Sequence, residues 1–244
     1  MAADRDGSNW RLTGTKSWIS NAPDADVYVV FARTTPGTGV RGITAFVVQG
    51  DAEGVGGRPV ELLSTHPIGT LELDGVPVPG DMVLGEIDAG FRVAMRTLDL
   101  FRPSVGAFAV GMAQAALDAA LAHAAGREAF GRPISEFQAV SHLLAEMSTR
   151  TEAARLLVFD AALAYDGGAP TVTRRSAMAK LFATETAQFV VDAALQIHGA
   201  AGLERGHLLE HLYREVRAPR IYEGTTEIQR EVIARELYRE RHER

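Results

Sequence analysis

The spacing of hydrophobic and polar positions changes once along the chain. In the first third, "WRLTGTKSWISN", "ADVYVVFAR", "GITAFVVQG" and "GTLELDGVPV" are short runs rich in β-branched and aromatic residues, broken by Gly, Pro and Asp. Such runs predict strands. The stretches "TTPGTGVRG" and "GDAEGVGG" between them read as turns. Strands in succession without intervening helices predict a small antiparallel β-barrel or sandwich. Beyond about residue 86, Ala, Leu, Val and Met recur every three or four positions, the period of a helix stripe. This spacing predicts helices over 91–128, 135–166 and 172–197, and a fourth after Thr225. Pro103 is tolerable where it opens a new helical segment, and Gly167 and Gly168 are stop signals. Four long helices with short links predict an antiparallel four-helix bundle. The fold class is therefore α+β, with a β domain over 1–87 and a helical bundle domain over 88–244.

Composition narrows the function classes more than it names one. The 244 residues, 46% hydrophobic and 23% charged, suit a soluble globular chain with a sizeable core. A formal net charge of −6 argues against non-specific nucleic-acid binding. The absence of cysteine removes disulfides, thiolate metal sites and cysteine nucleophiles. The opening "MAADRDGSNW" lacks a signal-peptide core, and the uncharged stretch 103–117 is too short to cross a bilayer. A cytoplasmic protein without membrane or nucleic-acid partners is the expectation. The Ala-rich "MAQAALDAALAHAA" and "TETAQFVVDAALQ" offer apolar surface on more than one side. A tightly packed helix pair explains that, and so does oligomerisation through the helices.

Several common chemistries find no support. There is no G-x-G-x-x-G after a strand, no G-x-S-x-G elbow and no H-E-x-x-H. His207 and His211 stand four apart without a third ligand nearby, so no metal site is expected. Three clusters remain. In "GTKSWISN" Trp18 is flanked by hydroxyls, and a buried structural Trp is the bland explanation. "GREAFGRPISEFQ" is a basic turn between helices in which Arg127 or Arg132 suits a phosphate, with a solvated loop as the default. In "APRIYEGTTEIQREVIARELY", Thr226 and Gln229 fit a capping box. Glu223 lies just outside it, with no basic residue within two positions. Either Glu223 complements the positive helix end, which lowers its pKa, or it is a desolvated base whose pKa is raised. Spacing alone leaves both open.

Taken together, "LTGTKSWISNAPDADVYVVFAR", "RPSVGAFAVGMAQAALDAALAHAAGREAFGRPISEFQ" and "LQIHGAAGLERGHLLEHLYREVRAPRIYEGTTEIQR" resemble, in order and over nearly the whole chain, the acyl-CoA dehydrogenase flavoproteins. The resemblance implies FAD as cofactor and α,β-dehydrogenation of an acyl-CoA or carrier-bound acyl thioester. Glu223 matches the base that removes the α-proton while the β-hydride passes to flavin N5. Trp18 and Ser20 match residues on the flavin ring, and Arg127, Phe130 and Gln138 match positions reaching the FAD of another subunit. Gln196, Gly199 and Gly202 match the loop along the cofactor pyrophosphate, and Thr225 and Glu227 match contacts after the acid, although many relatives carry Gln at the latter. Arg102, Tyr222 and Gly224 match the substrate end of the site. The implied partners are an electron-transfer flavoprotein or oxygen as acceptor, and further subunits in a homo- or hetero-oligomer, a dimer or tetramer, formed through the bundle. The chain begins almost at the β domain, without the family's N-terminal helical domain. A partner-supplied wall, an open homo-oligomeric site and a non-catalytic scaffold are the readings that follow.

Overall fold

The computed structural model describes residues 1–242 and divides into two compact units, Met1–Thr97 and a second beginning at Leu98. The first unit holds six strands: β1 (Ala2–Asp6), β2 (Asn9–Ser20), β3 (Val27–Arg33), β4 (Ile43–Gln49), β5 (Val55–Val60) and β6 (Ile68–Val78). They form one sheet in the order β4-β3-β1-β2-β6-β5. Its pairings are antiparallel except for β1 against β3, so the sheet is mixed where the sequence pattern predicts a wholly antiparallel one. Two strands escape that pattern. β1 is too polar to read as a strand, and β5 begins inside the Gly-rich "GDAEGVGG".

Alternation along β2 shows how the core of this unit is made. Trp10 and Leu12 turn inward while Asn9, Arg11 and Thr13 face out, the period of two that a pleated strand imposes. Trp10 meets Phe46 edge-to-face at 5.6 Å, and Leu71, Val76 and Val78 of β6 join the same cluster. Gly90 sits so close to β4 that a Cβ there would lie 2.6 Å from the Ala45 nitrogen. The first turns of the next helix thus pack with the sheet unit.

That helix, α1 (Gly90–Gly126), runs through Pro103 as one element, so Pro103 does not open the new helical segment expected from the sequence; inside the helix it removes one backbone donor. By length and composition it is apolar enough to cross a membrane, with half of its most apolar window buried in the protein. A two-strand hairpin follows, β7 (Glu128–Ala129) with β8 (Arg132–Pro133), then α2 (Gln138–Asp166), α3 (Val172–His198), α4 (Leu208–Glu215) and α5 (Thr226–His242). The short amphipathic α4 goes unpredicted by the long-helix pattern. α2 starts three residues later than 135 because Ile134–Glu136 form a 3₁₀ turn first.

The core of the second unit is small-residue packing. Ala109, Ala113, Ala116 and Ala120 of α1 meet Ala183, Ala187, Val190 and Ala194 of α3, with Leu209 and Leu212 of α4 closing one end. The Ala-rich faces are therefore absorbed by this core, as a tightly packed helix pair explains. Large apolar side chains left outside lie elsewhere, notably Leu156, Phe159 and Leu163 on α2, at 61%, 61% and 72% exposure.

Candidate active site

The segment entering α5 is a tight turn with an acid at its apex. Ala218–Arg220 form a 3₁₀ turn, and the Ile221 and Tyr222 amides both donate to the Ala218 carbonyl. Glu223 then adopts φ 53° and Gly224 φ 93°. Left-handed backbone is costly for a residue with a Cβ, so the surroundings must hold Glu223 there. Three side chains do so. The Gln229 amide nitrogen donates to the Glu223 and Gly224 carbonyls, both at 3.0 Å. The Lys180 ammonium donates to the Gly224 carbonyl at 2.7 Å. Glu185 clasps both flanks of the turn, accepting from Arg220 at 3.0 Å and from the Thr226 hydroxyl at 2.7 Å.

This corrects the capping-box assignment. The cap is Thr225, whose hydroxyl accepts the Ile228 amide at 3.4 Å. Thr226 and Gln229 are turned instead toward Glu185 and the acid's carbonyls. The local pattern fits either pairing, and the half-buried Glu185 of α3 and the carbonyls of Glu223 and Gly224 decide it. Glycine at 224 follows for two reasons. A Cβ would lie 2.5 Å from Gln229 Nε2, and the backbone is left-handed.

The electrostatics of the acid follow from burial. Desolvation pushes the Glu223 carboxyl above the usual carboxylate range, against the opposing pull of Lys180 and Arg102. Its Oε2 is buried without a hydrogen-bond partner among the described residues. Helix-end complementarity is thus not what this acid is tuned for. Burial brings Lys180 down to about 8, with Arg102 adding to the fall and Glu223 and Glu185 resisting it. Burial likewise lowers Arg102, while Asp99 and Glu223 favour its charge. Arg102 is only 4% exposed, 3.5 Å from Asp99, and its Nε has no partner among the described residues. Asp99 is in turn held by the Thr173 hydroxyl at 2.7 Å. Burial pushes Tyr222 up to about 12, and Glu223 and Glu215 add to this, so its phenol stays protonated. A carboxyl of raised pKa with one free oxygen, beside buried cations, is equipped to accept a proton from a weak acid.

The other sequence candidates fall into separate groups. Within the sheet unit, Trp18 occupies a bulge where the β2–β6 register shifts, at φ 63°, and is 68% exposed. The bland expectation of a buried Trp is overturned, because the bulge rotates the indole out of the inward row. Ser20 lies two residues on, 3.0 Å from His66 Nε2. Within the helical unit, Phe130 tips the β7–β8 hairpin at 97% exposure, and it lines a groove of about 360 Å³ with Phe137, Val140, Leu143 and Gln196. Arg127 and Gln138 are exposed on either side of that hairpin, and Arg132 lies over the Phe137 ring at 4.1 Å. Gly199 adopts φ 61° after α3, and Gly202 is buried. The Glu227 backbone amide, and after it the Thr225 hydroxyl, hold the exposed Glu227 carboxylate below its usual range. His207 caps α4 by accepting the Leu209 amide at 3.1 Å. Lys180, Glu185 and Gln229 are the site residues that sequence reasoning missed. Their only signal was polar residues inside otherwise apolar helical faces.

An acid on a left-handed turn at the mouth of α5, in a helical domain that follows a sheet domain, is the arrangement that the resemblance to the acyl-CoA dehydrogenases implies. The family models agree: residues 1–76 match the acyl-CoA dehydrogenase middle domain and 88–238 the acyl-CoA dehydrogenase C-terminal domain. The chain belongs to the acyl-CoA dehydrogenase family, whose members are FAD flavoproteins. It is 43% identical over 240 residues to the probable acyl-CoA dehydrogenase FadE25 of Mycobacterium tuberculosis, covering 97% of this chain and 62% of that one. To the short-chain specific mitochondrial acyl-CoA dehydrogenase of Bos taurus it is 42% identical over 238 residues, covering 96% and 58%. The butyryl-CoA dehydrogenase structure from Megasphaera elsdenii superposes with a TM-score of 0.94 at 36% identity, covering 97% of this chain and 63% of that one. The chain thus spans less than two thirds of the length of these relatives.

Proposed function

We propose that this chain carries the catalytic base and part of the cofactor surface of an FAD-dependent acyl-CoA dehydrogenase, acting on an acyl thioester with Glu223 as the α-proton base. The observation that carries this is the state of Glu223: a carboxyl raised by burial, one oxygen unpartnered, on a backbone held left-handed by buried donors. A thioester α C–H becomes acidic enough to lose its proton when its carbonyl accepts hydrogen bonds, and the Glu223 amide is the donor we assign on this chain. Gly224 lets that amide approach the substrate closely. Arg102, Tyr222 and Gly224 line the substrate end. Bound FAD would supply the hydride acceptor.

The residues present fit such a cofactor. Trp18 offers an exposed indole with the Ser20 hydroxyl close by in sequence, as a flat ring system with polar edges requires. Phe130 and Gln196 share an apolar groove, with Arg127 on the adjoining hairpin for phosphate. Gln138, Gly199, Gly202, Thr225 and Glu227 complete the assigned cofactor surface. The exposed Leu156, Phe159 and Leu163 favour assembly through the helical unit into a dimer or tetramer, and an electron-transfer flavoprotein or oxygen would reoxidise the flavin.

The test is anaerobic absorbance of the FAD-loaded protein mixed with a panel of acyl-CoAs. Bleaching of the flavin band by at least one thioester is expected, slowed by roughly a thousandfold in Glu223→Gln. Bleaching at the wild-type rate in that variant would remove Glu223 from the role of base. A protein that takes up no FAD would leave the scaffold reading in its place.

A further inference from the structure

Lys180 lies in the apolar stretch "SAMAKLFATETA" of α3 and is wholly buried. Lysine is almost never fully buried without a partner, yet the one acceptor found for its ammonium among the described residues is the Gly224 carbonyl, 2.7 Å away. No carboxylate is within ion-pair distance of it among the described residues; Glu223, Glu185 and Arg102 are the charged groups that act on it. A single neutral hydrogen bond is a poor structural reason to bury a charge, since an apolar side chain of similar length would fill the same space. Gln229 also donates to the Gly224 carbonyl, at 3.0 Å.

We propose that Lys180 is a positioning residue for Glu223: its ammonium grips the Gly224 carbonyl, keeping the acid's backbone in the left-handed turn, and its charge keeps the carboxylate ionised inside a buried site. This rests on the reading of Glu223 as the base. The two cations facing the acid, Lys180 from α3 and Arg102 from α1, are the groups that oppose its desolvation. Of these, Lys180 is the one that titrates in an accessible range, since burial brings it to about 8. Glu223 is therefore coupled to a second titration, that of the ammonium on the next residue's carbonyl.

Carbon-13 NMR of the chain labelled at glutamate carboxyl carbons tests this without needing flavin or turnover. The Glu223 signal is identified as the one missing in Glu223→Gln. In wild type it should show one titration of its own, raised above that of an ordinary glutamate, and shift again as Lys180 loses its proton near 8. In Lys180→Met the first titration should move to higher pH and the second inflection vanish, while Lys180→Arg should keep the first in place. In the FAD-loaded protein, Lys180→Met should reduce the rate of acyl-CoA bleaching about tenfold near pH 6, where charge and hydrogen bond are both lost, and several-fold less above pH 9, where wild-type Lys180 is itself neutral and only its hydrogen bond to the Gly224 carbonyl is lost. A rate loss equal at every pH, or a Glu223 titration identical in wild type and Lys180→Met, would overturn the proposal. Should Lys180→Met not fold, the missing second inflection in wild type alone would overturn it. Coupled titration with no acyl-CoA bleaching in any variant would instead sink the reading of Glu223 as base.

Discussion

Glu223 and Trp18 both occupy left-handed backbone, at φ 53° and 63°, and they are held there in opposite ways. The acid's turn is gripped from inside its own unit by Lys180, Gln229 and Glu185. The indole stands on a β-bulge, 68% exposed, and that strand end is steadied by ladder bonds, the Ser20–His66 contact and the Asn21 amide donating to the Pro67 carbonyl at 2.9 Å. Strain persists only where the surroundings over-determine it. In the helical unit buried polar partners supply the over-determination. In the sheet unit the ladder on either side of the bulge does. A proton-transfer group needs a desolvated, fixed carboxylate, whereas a cofactor-stacking group needs an uncovered ring. The two segments are built for different tasks.

The sharpest way to break this comparison is the pH dependence of folding. The folded-state pKa of Lys180, about 8, lies below its ordinary value of 10.5. Between these the unfolded chain binds the extra proton, so wild-type stability should rise with pH relative to Lys180→Met. The gain should reach at most about 3 kcal/mol by pH 10.5, read by chemical denaturation across that range. A flat difference would mean the buried ammonium carries no such penalty.

Gln229→Ala comes next. It leaves two carbonyls with fewer donors in a buried site and should cost about 2 kcal/mol in the same measurement, with bleaching rates falling as the acid's turn loosens. A neutral result would show that Lys180 and Glu185 hold the turn without it.

Gly224→Ala should cost about 1–2 kcal/mol, because the added Cβ meets Gln229 Nε2 at 2.5 Å in a left-handed backbone. The pairing of Gly224→Ala with Gln229→Ala should be less than additive, since removing the amide makes room for the methyl.

Trp18→Ala defines the other pole. The side chain is largely exposed, so stability should change by no more than about 0.5 kcal/mol, while FAD affinity measured by fluorescence titration should fall clearly. A large loss of stability would show that the indole is structural after all.

The molecule was partly legible before its structure. The change of period near residue 86 marks where strands give way to helices, and the sheet unit and the long helices follow it. Helix stripes and strand alternation are local consequences of which faces must be buried. β1 and β5 escaped because edge-like, polar or Gly-rich strands carry little alternation, and α4 because eight residues hold barely two turns of periodicity.

At the site, Glu223 stood out in the sequence as an acid just outside the capping box, with helix-end complement and desolvated base both open. Its tuning was not readable, because desolvation and two cations from α1 and α3, at residues 102 and 180, come from far along the chain. "TTEIQ" satisfies a capping box on paper, yet the folded chain caps with Thr225 and spends Thr226 and Gln229 elsewhere. Trp18 likewise reads as core until the register shift between Lys16 and Ile19 turns it outward. Residue order determined the periods, the glycines that admit positive φ and the type of acid at position 223. Which side chains meet at its carbonyls, and which of its charges are denied water, only the packing of α3 against the turn and α5 decided, because desolvation and hydrogen-bond choice depend on neighbours distant in sequence.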